Sequence, residues 1–179
     1  MQHYFIGIPI PSYIGSYVED LRNTYQLREA YKIIPHIDDL HVTLFYIGPL
    51  SESKLAKLEE RLSAIAASHS RFSLAVDGIS FFGSKLGPRV IYLSIKEQLL
   101  LTNMQRDISN EVNNIIENPI PNRFTPHITI AKKWKGLDDF LFDEEKRTPI
   151  EVAVHHFSLF SIHPNENPMY EETRKFRLV

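Results

Sequence analysis

Pro126-His127-Ile128-Thr129-Ile130-Ala131 reads as a β-strand, because β-branched and apolar residues fill it without interruption. In an extended chain residues i and i+2 point to one face, so His127 and Thr129 offer an imidazole and a hydroxyl side by side. The same arrangement occurs earlier, in Leu40-His41-Val42-Thr43-Leu44, at a separation of 127 − 41 = 86 residues. Two such pairs facing one another would make a small polar site with two proton carriers.

Working outward, the elements on either side of the two copies fall into step. His3–Ile10 alternates as a strand, and Ser12 caps a helix carrying Ile14, Tyr17, Val18, Leu21 and Tyr25. Tyr31–Ile34 is a short strand, Pro35–Asp39 a turn, and Leu40–Ile47 the first motif strand. Ser51 caps a second helix with a stripe of Leu55, Leu58, Leu62 and Ile65, and Phe72–Phe82 follows as strand, interrupted at Asp77-Gly78. The order then restarts: strand Val90–Ile95, the longest helix over Glu97–Glu117, and the second motif strand. A short helix around Leu137–Phe142, a strand over Ile150–Ile162 and a last strand from Tyr170 to Val179 complete the chain.

A shift of 86 lays Gln2–Ile10 on Pro88–Lys96 and the first helix on the third, and Phe72-Ser73-Leu74 recurs as Phe157-Ser158-Leu159 at a shift of 85. The expected fold class is therefore α+β. It has two similar lobes of mostly antiparallel sheet backed by helices, related by a pseudo-twofold, with a central cleft between them. Residues 1–179 form a single bilobal domain with sequence halves 1–85 and 86–179.

Composition removes several rivals. The chain has 179 residues, 43% of them apolar, and no cysteine, so thiolate nucleophiles, disulfides and thiolate metal sites are excluded. With 20 Lys and Arg against 22 Asp and Glu, the net charge of −2 argues against a long basic track for nucleic acid. No apolar run is long enough for a membrane span, and the N-terminus lacks the basic head of a signal peptide, so a cytoplasmic monomer is expected. His36-x-Asp38-Asp39-x-His41 does not place its side chains on one face, and no metal or other cofactor is expected. Adjacent His155 and His156 point oppositely, His163-Pro164 is turn chemistry, and Asp138-Asp139 with Asp143-Glu144-Glu145 is a solvated acidic helix face.

Imidazole titrates near pH 6.5, so one histidine can accept a proton while the other donates one, which suits in-line displacement at phosphorus. Thr43 and Thr129 would donate to non-bridging oxygens as charge builds there. Arg123, Lys132 and Lys133 bring positive charge to the second copy. Strict alternation puts Lys133, not Lys132, on the His127 face and gives Phe45 the His41 face, where it could stack on a base or ribose. These arguments are symmetric and do not say which histidine is acid and which base.

The two copies, with Arg123-Phe124-x-Pro126-His127 and Leu40-His41-Val42-Thr43-Leu44-x-x-x-Gly48 around them, resemble the double H-x-T-x signature of the two-histidine phosphoesterases. Within that superfamily the flanks look like the RNA 2′,3′-cyclic phosphodiesterase branch, also called 2′-5′ RNA ligases, as does Leu159-Phe160-Ser161 with Tyr170, Phe176 and Leu178. The resemblance implies metal-independent opening of a 2′,3′-cyclic phosphate at RNA 3′ ends, with His41 as proton donor and His127 as proton acceptor. It leaves 2′-5′ joining of RNA, a small nucleotide cyclic phosphate, or a non-catalytic RNA-end binder as alternatives. One departure stands at Lys132, where the family often has arginine.

Overall fold

The computed structural model describes residues 1–136 and 140–179. The strands are β1 (His3–Pro9), β2 (Tyr31–Ile33), β3 (His41–Pro49), β4 (Phe72–Phe82), β5 (Val90–Ile95), β6 (His127–Trp134), β7 (Glu145–Val154), β8 (His156–Ile162) and β9 (Tyr170–Arg177). The helices are α1 (Gly15–Thr24), α2 (Leu27–Ala30), α3 (Glu52–Ser68) and α4 (Leu99–Asn113). This is the expected α+β class.

Every strand pairing is antiparallel, in the order β7-β4-β5-β6-β3-β1-β8-β9, with β2 added beside β6. The order is symmetric about the β6–β3 junction: β5 answers β1, β4 answers β8, and β7 answers β9. Each half of the sequence sends its last strands across. β4 sits beside β5 of the second half, while β8 and β9 extend β1 of the first. The two motif strands meet at the centre and pair only at Val42–Ile128. Beyond that point they splay, opening a cleft along one face.

Helices cover the opposite face. α4 packs on β3, α3 on α4 and β9, and α2 on β2 and β6. The buried side chains of the sheet's covered face, among them Ile6, Ile8, Val42, Leu44, Leu93, Ile128 and Ile130, merge with Val18, Leu21, Leu58, Leu62, Leu101, Met104 and Ile108 into one core. Ser51 caps α3 as expected, its hydroxyl accepting from the Lys54 N–H.

Several boundaries differ from expectation, each for a local reason. Ser12 does not cap α1; residues Ser12–Ile14 form a 3₁₀ turn and the helix begins at Gly15. α4 stops at Asn113 rather than Glu117, leaving the 17-residue α3 the longest helix. The Asn113 side chain accepts from Ile120 N and donates to Ile120 O, both at 2.9 Å, and so turns the chain back. β4 runs unbroken through Asp77-Gly78 as a bulge; Gly78 has φ +153, and a Cβ there would lie 2.1 Å from the Glu145 carbonyl oxygen. The span Ile150–Ile162 is two strands, because the chain leaves β4 after Val154, joins β9 from His156 and joins β1 from Ser158. The proposed helix over Leu137–Phe142 and the pair Asp138-Asp139 fall largely outside the described residues; Phe140–Phe142 is not helical, and Leu141 bridges to Leu86. No helix among the described residues is long and apolar enough to cross a membrane.

Candidate active site

Each motif strand carries a β-bulge at its fourth motif residue. On β3, Gly7 pairs with Thr43 but Ile6 pairs with Phe45, so Leu44 is the extra residue. On β6, Tyr92 pairs with Thr129 but Ile91 pairs with Ala131, so Ile130 is extra. Leu44 and Ile130 are themselves 86 residues apart. An inserted residue reverses the alternation beyond it. His41, Thr43 and Tyr46 therefore share the cleft face, as do His127, Thr129 and Lys132.

This corrects the alternation expected for Phe45 and Lys133. Phe45 is 7% exposed and packs in the core, contributing only to the groove wall, while Tyr46, 51% exposed, takes the cleft position. Lys133 is exposed and has φ +61, a left-handed turn after the bulge. Lys132 is half-buried, and its ammonium is held below the ordinary lysine range by burial, then by Lys133, against the pull of Asp39.

The two imidazoles are oriented alike. His41 Nδ1 donates to the Asp39 carbonyl at 2.6 Å, and His127 Nδ1 donates to the Thr125 carbonyl at 2.7 Å. Each bond reaches back two residues and leaves Nε2 as the free lone pair of the neutral ring. The His41 Nε2 accepts from the Thr43 hydroxyl at 3.0 Å.

Their surroundings differ. His41 lies against Phe5, Tyr170 and Phe160, with ring centroids at 4.6, 5.2 and 6.3 Å. Burial in that aromatic box pushes its pKa down to about 4, with His127 and Lys132 adding to the effect and the Asp39 carbonyl opposing it. His127 meets Phe82 edge-on at 4.9 Å and Tyr92 at 5.2 Å. Its pKa is also lowered by burial, against the Thr125 carbonyl. Burial thus disfavours the charged form of both rings in the free protein.

A groove of about 330 Å³ opens from Thr43 and His127 past Phe45, Tyr46, Ile120, Arg123 and Phe124. It is lined mainly by apolar side chains, with Arg123 at its edge. Beyond Lys132, Arg89 and Lys133 flank Trp134 around a second cleft of about 440 Å³. Among the described residues none of Arg89, Arg123, Lys132 and Lys133 is held in an ion pair.

The sequence reading misses Tyr46 and the aromatic boxes, places Asp39 only in a turn, and gives Tyr170 only as part of the family resemblance. The Asp39 carboxylate is buried and accepts from Met169 N at 2.8 Å and Tyr170 N at 3.0 Å. It thereby pins the start of β9, and the Tyr170 ring, against His41. The available signal was a carboxylate two residues ahead of the motif histidine. His36 accepts from the Asp38 N–H at 3.1 Å, so it is engaged in the turn. Among the described residues, no three His, Asp or Glu side chains converge on a position that could hold a metal ion.

An antiparallel sheet folded about a pseudo-twofold, with one H-x-T-x imidazole on each of the two central strands, defines a two-histidine phosphoesterase scaffold. Residues 10–166 match the family model described as the 2′-5′ RNA ligase superfamily, and the chain belongs to that family. It is 33% identical over 181 residues to an RNA 2′,3′-cyclic phosphodiesterase of Bacillus subtilis, covering 98% of this chain and 96% of the relative. A second relative of the same name, from Geobacillus stearothermophilus, is 29% identical over 180 residues, covering 99% of this chain and 57% of its own length. The fold also matches the crystal structure of E. coli LigT complexed with 3′-AMP, with TM-score 0.84 at 20% identity, covering 99% of this chain and 98% of the other.

Proposed function

We propose that the protein hydrolyses 2′,3′-cyclic phosphates at RNA 3′ ends to 2′-phosphomonoesters, using two histidines and no metal. The observation that carries this reading is the matched orientation of His41 and His127, each tied back through Nδ1 so that Nε2 is turned away from the backbone, that of His41 engaged by the Thr43 hydroxyl. The relatives' names supply the substrate class.

In this mechanism His127 Nε2 takes a proton from water as the water oxygen attacks phosphorus. The P–O3′ bond breaks in line with the attack, and His41, protonated in the substrate complex, delivers its Nε2 proton to O3′. The product keeps the P–O2′ bond and gains a 3′-hydroxyl. A neutral His127 is ready as base. His41 needs the phosphate's negative charge to become protonated, since an adjacent anion favours the imidazolium. Thr43 turns from the His41 ring to a non-bridging oxygen, and Thr129 serves another.

Lys132 has the cleft-face position for neutralising the phosphate. The apolar groove by Tyr46 suits the terminal base, and Arg123, Arg89 and Lys133 suit the RNA backbone as point charges rather than as a long track. Both motif strands belong to one continuous sheet, so residues 1–179 act as a single bilobal unit.

The test is a product assay on an oligoribonucleotide bearing a terminal cyclic phosphate, in excess EDTA. The wild type should release 2′-phosphate ends, and His41→Ala and His127→Ala should each lose roughly 10²-fold or more in rate. Full activity in both variants, or dependence on added metal, would overturn the proposal. Joining of RNA ends, or a 3′-phosphate product, would replace it with a different chemistry in the same cleft.

A further inference from the structure

Two polar side chains sit deep in the core on the helical side of the sheet: Arg22 on α1, 2% exposed, and Gln105 on α4, 3% exposed. Arg22 lies away from the groove beside Thr43 and His127, whereas Gln105 forms part of its inner wall. Each donates to the carbonyl of a bulge residue. Arg22 Nε meets Ile130 O at 3.1 Å, and Gln105 Nε2 meets Leu44 O at 3.1 Å.

Each side chain also holds the segment leading into the other motif. Arg22 Nη2 donates to Pro35 O at 2.7 Å, six residues before His41. Gln105 Nε2 donates to Asn122 Oδ1 at 2.9 Å, and its Oε1 accepts from Asn122 Nδ2 at 2.9 Å, five residues before His127. All hydrogen-bonding capacity of the Gln105 NH₂ group is thus used. The reversed amide would set its oxygen against Leu44 O, two acceptors in contact, so chemistry fixes this orientation. Arg22 is completed by Glu19 at 2.7 Å.

A bulge leaves a carbonyl out of the sheet ladder, and a buried unpaired carbonyl is costly. Satisfying it with a helix side chain that also grips the opposite approach segment joins what the sheet leaves weakly joined, since β3 and β6 share only the Val42–Ile128 pairing. From this we infer that Arg22 and Gln105 are positioning residues, a crossed pair of braces that sets the first-motif and second-motif imidazoles in register with each other. The inference rests on the two-histidine mechanism for its catalytic consequence. Its geometric content stands without that mechanism.

The decisive variants are Gln105→Met, which keeps length and removes the amide, and Asn122→Ala, whose exposed site makes folding safe. Two measurements are made on each: kcat and KM on the cyclic-phosphate oligonucleotide, and the NMR resonances of the His41 and His127 rings in the ligand-free protein. Loss of the brace should lower kcat about 10- to 100-fold, the scale of a misplacement near 1 Å, beyond any change in KM from the groove wall that Gln105 and Asn122 also form. Both imidazoles should shift, although Gln105 hydrogen-bonds to neither motif histidine. Wild-type kcat in both variants overturns the inference. So does movement of one imidazole alone, which would make Gln105 a local packing residue. If Gln105→Met does not fold, Asn122→Ala decides on the same readouts. If the wild type proves inactive on the RNA substrate, the proposed function fails, while the paired ring shifts still decide the brace.

Discussion

Acidifying the ligand-free protein should expose the aromatic box around His41 as a loss of stability. In the unfolded chain an imidazole titrates near 6.5; in the folded protein burial holds His41 down to about 4. Between those values the unfolded state binds a proton that the folded state refuses. Stability therefore falls as pH drops from 6.5 towards 4 and is unaffected by this group above 7. The gap corresponds to about 3 kcal/mol. Carboxylates also titrate at the lower end, so the informative quantity is a difference. In urea unfolding of wild type and His41→Asn, measured stepwise from pH 7.5 to 4, the wild type should lose about 3 kcal/mol more than the variant as the pH falls. Parallel curves would show that the ring is not held neutral by its surroundings.

The same measurement reads the bound state. A nucleotide 2′-monophosphate sets an anion against the Nε2 face and should raise the His41 pKa, since the imidazolium and phosphate attract. With saturating ligand the His41-dependent loss between pH 6.5 and 4 should shrink or vanish, and the ring's NMR titration should move to higher pH. A ring that titrates near 4 with the nucleotide bound would be unprotonated when the mechanism needs it, and His41 could not be the acid.

Three further outcomes follow from the register. Lys132→Met should reduce kcat/KM by about 10- to 100-fold, the scale of a charge-assisted hydrogen bond, whereas Lys133→Met should change it less and mainly at low salt; equal effects would contradict the bulge assignment. Tyr46→Ala should weaken nucleotide binding with little change in unfolding free energy, while Phe45→Ala should cost about 3–5 kcal/mol of stability, both checked by calorimetric titration and urea unfolding. Asp39→Asn should lose about 1–3 kcal/mol through imperfect pairing with Met169 N and Tyr170 N, and should move the His41 resonance because Tyr170 is released from its edge.

How much was legible depended on whether the signal was local. The two His-x-Thr pairs, the Ser51 cap and strand Val90–Ile95 were readable because alternation and capping are short-range properties. The positions beyond the motifs were not, since nothing in Leu44-Phe45 or Ile130-Ala131 announces a bulge; only the partners on β1 and β5 define it. One extra residue on each strand exchanged Phe45 for Tyr46 and Lys133 for Lys132. Arg22 and Gln105 left a fainter trace. Each lies within an apolar helical stripe, Arg22 four residues after Val18 and Gln105 four after Leu101, and a polar residue on a buried stripe calls for a partner. That partner could not be named from sequence, because it is a backbone carbonyl 108 or 61 residues away.

Near-symmetry also explains why sequence alone could not order the two histidines. The motif strands, the bulges and the backbone anchors at Nδ1 repeat almost identically, so local pattern assigns both rings the same role. The difference enters through what each outer strand delivers. On the β8–β9 side, Phe160 and Tyr170 join Phe5 around His41, and the Asp39 carboxylate fixes Tyr170 in place. On the β4–β5 side, Phe82 and Tyr92 attend His127, whose Nε2 carries no hydrogen bond from its own motif threonine. A neutral ring with an unengaged lone pair is suited to accept a proton from water. A ring with a strongly depressed pKa, protonated only when an anion arrives, is suited to give its proton up. In the proposed mechanism the acid–base order would then rest on strands distant in sequence from either motif. Opening the His41 box, through Tyr170→Ala and Phe160→Ala, should raise the free His41 pKa towards its ordinary value while leaving that of His127 in place. If both rings moved together, the asymmetry would lie elsewhere than in the aromatic surroundings.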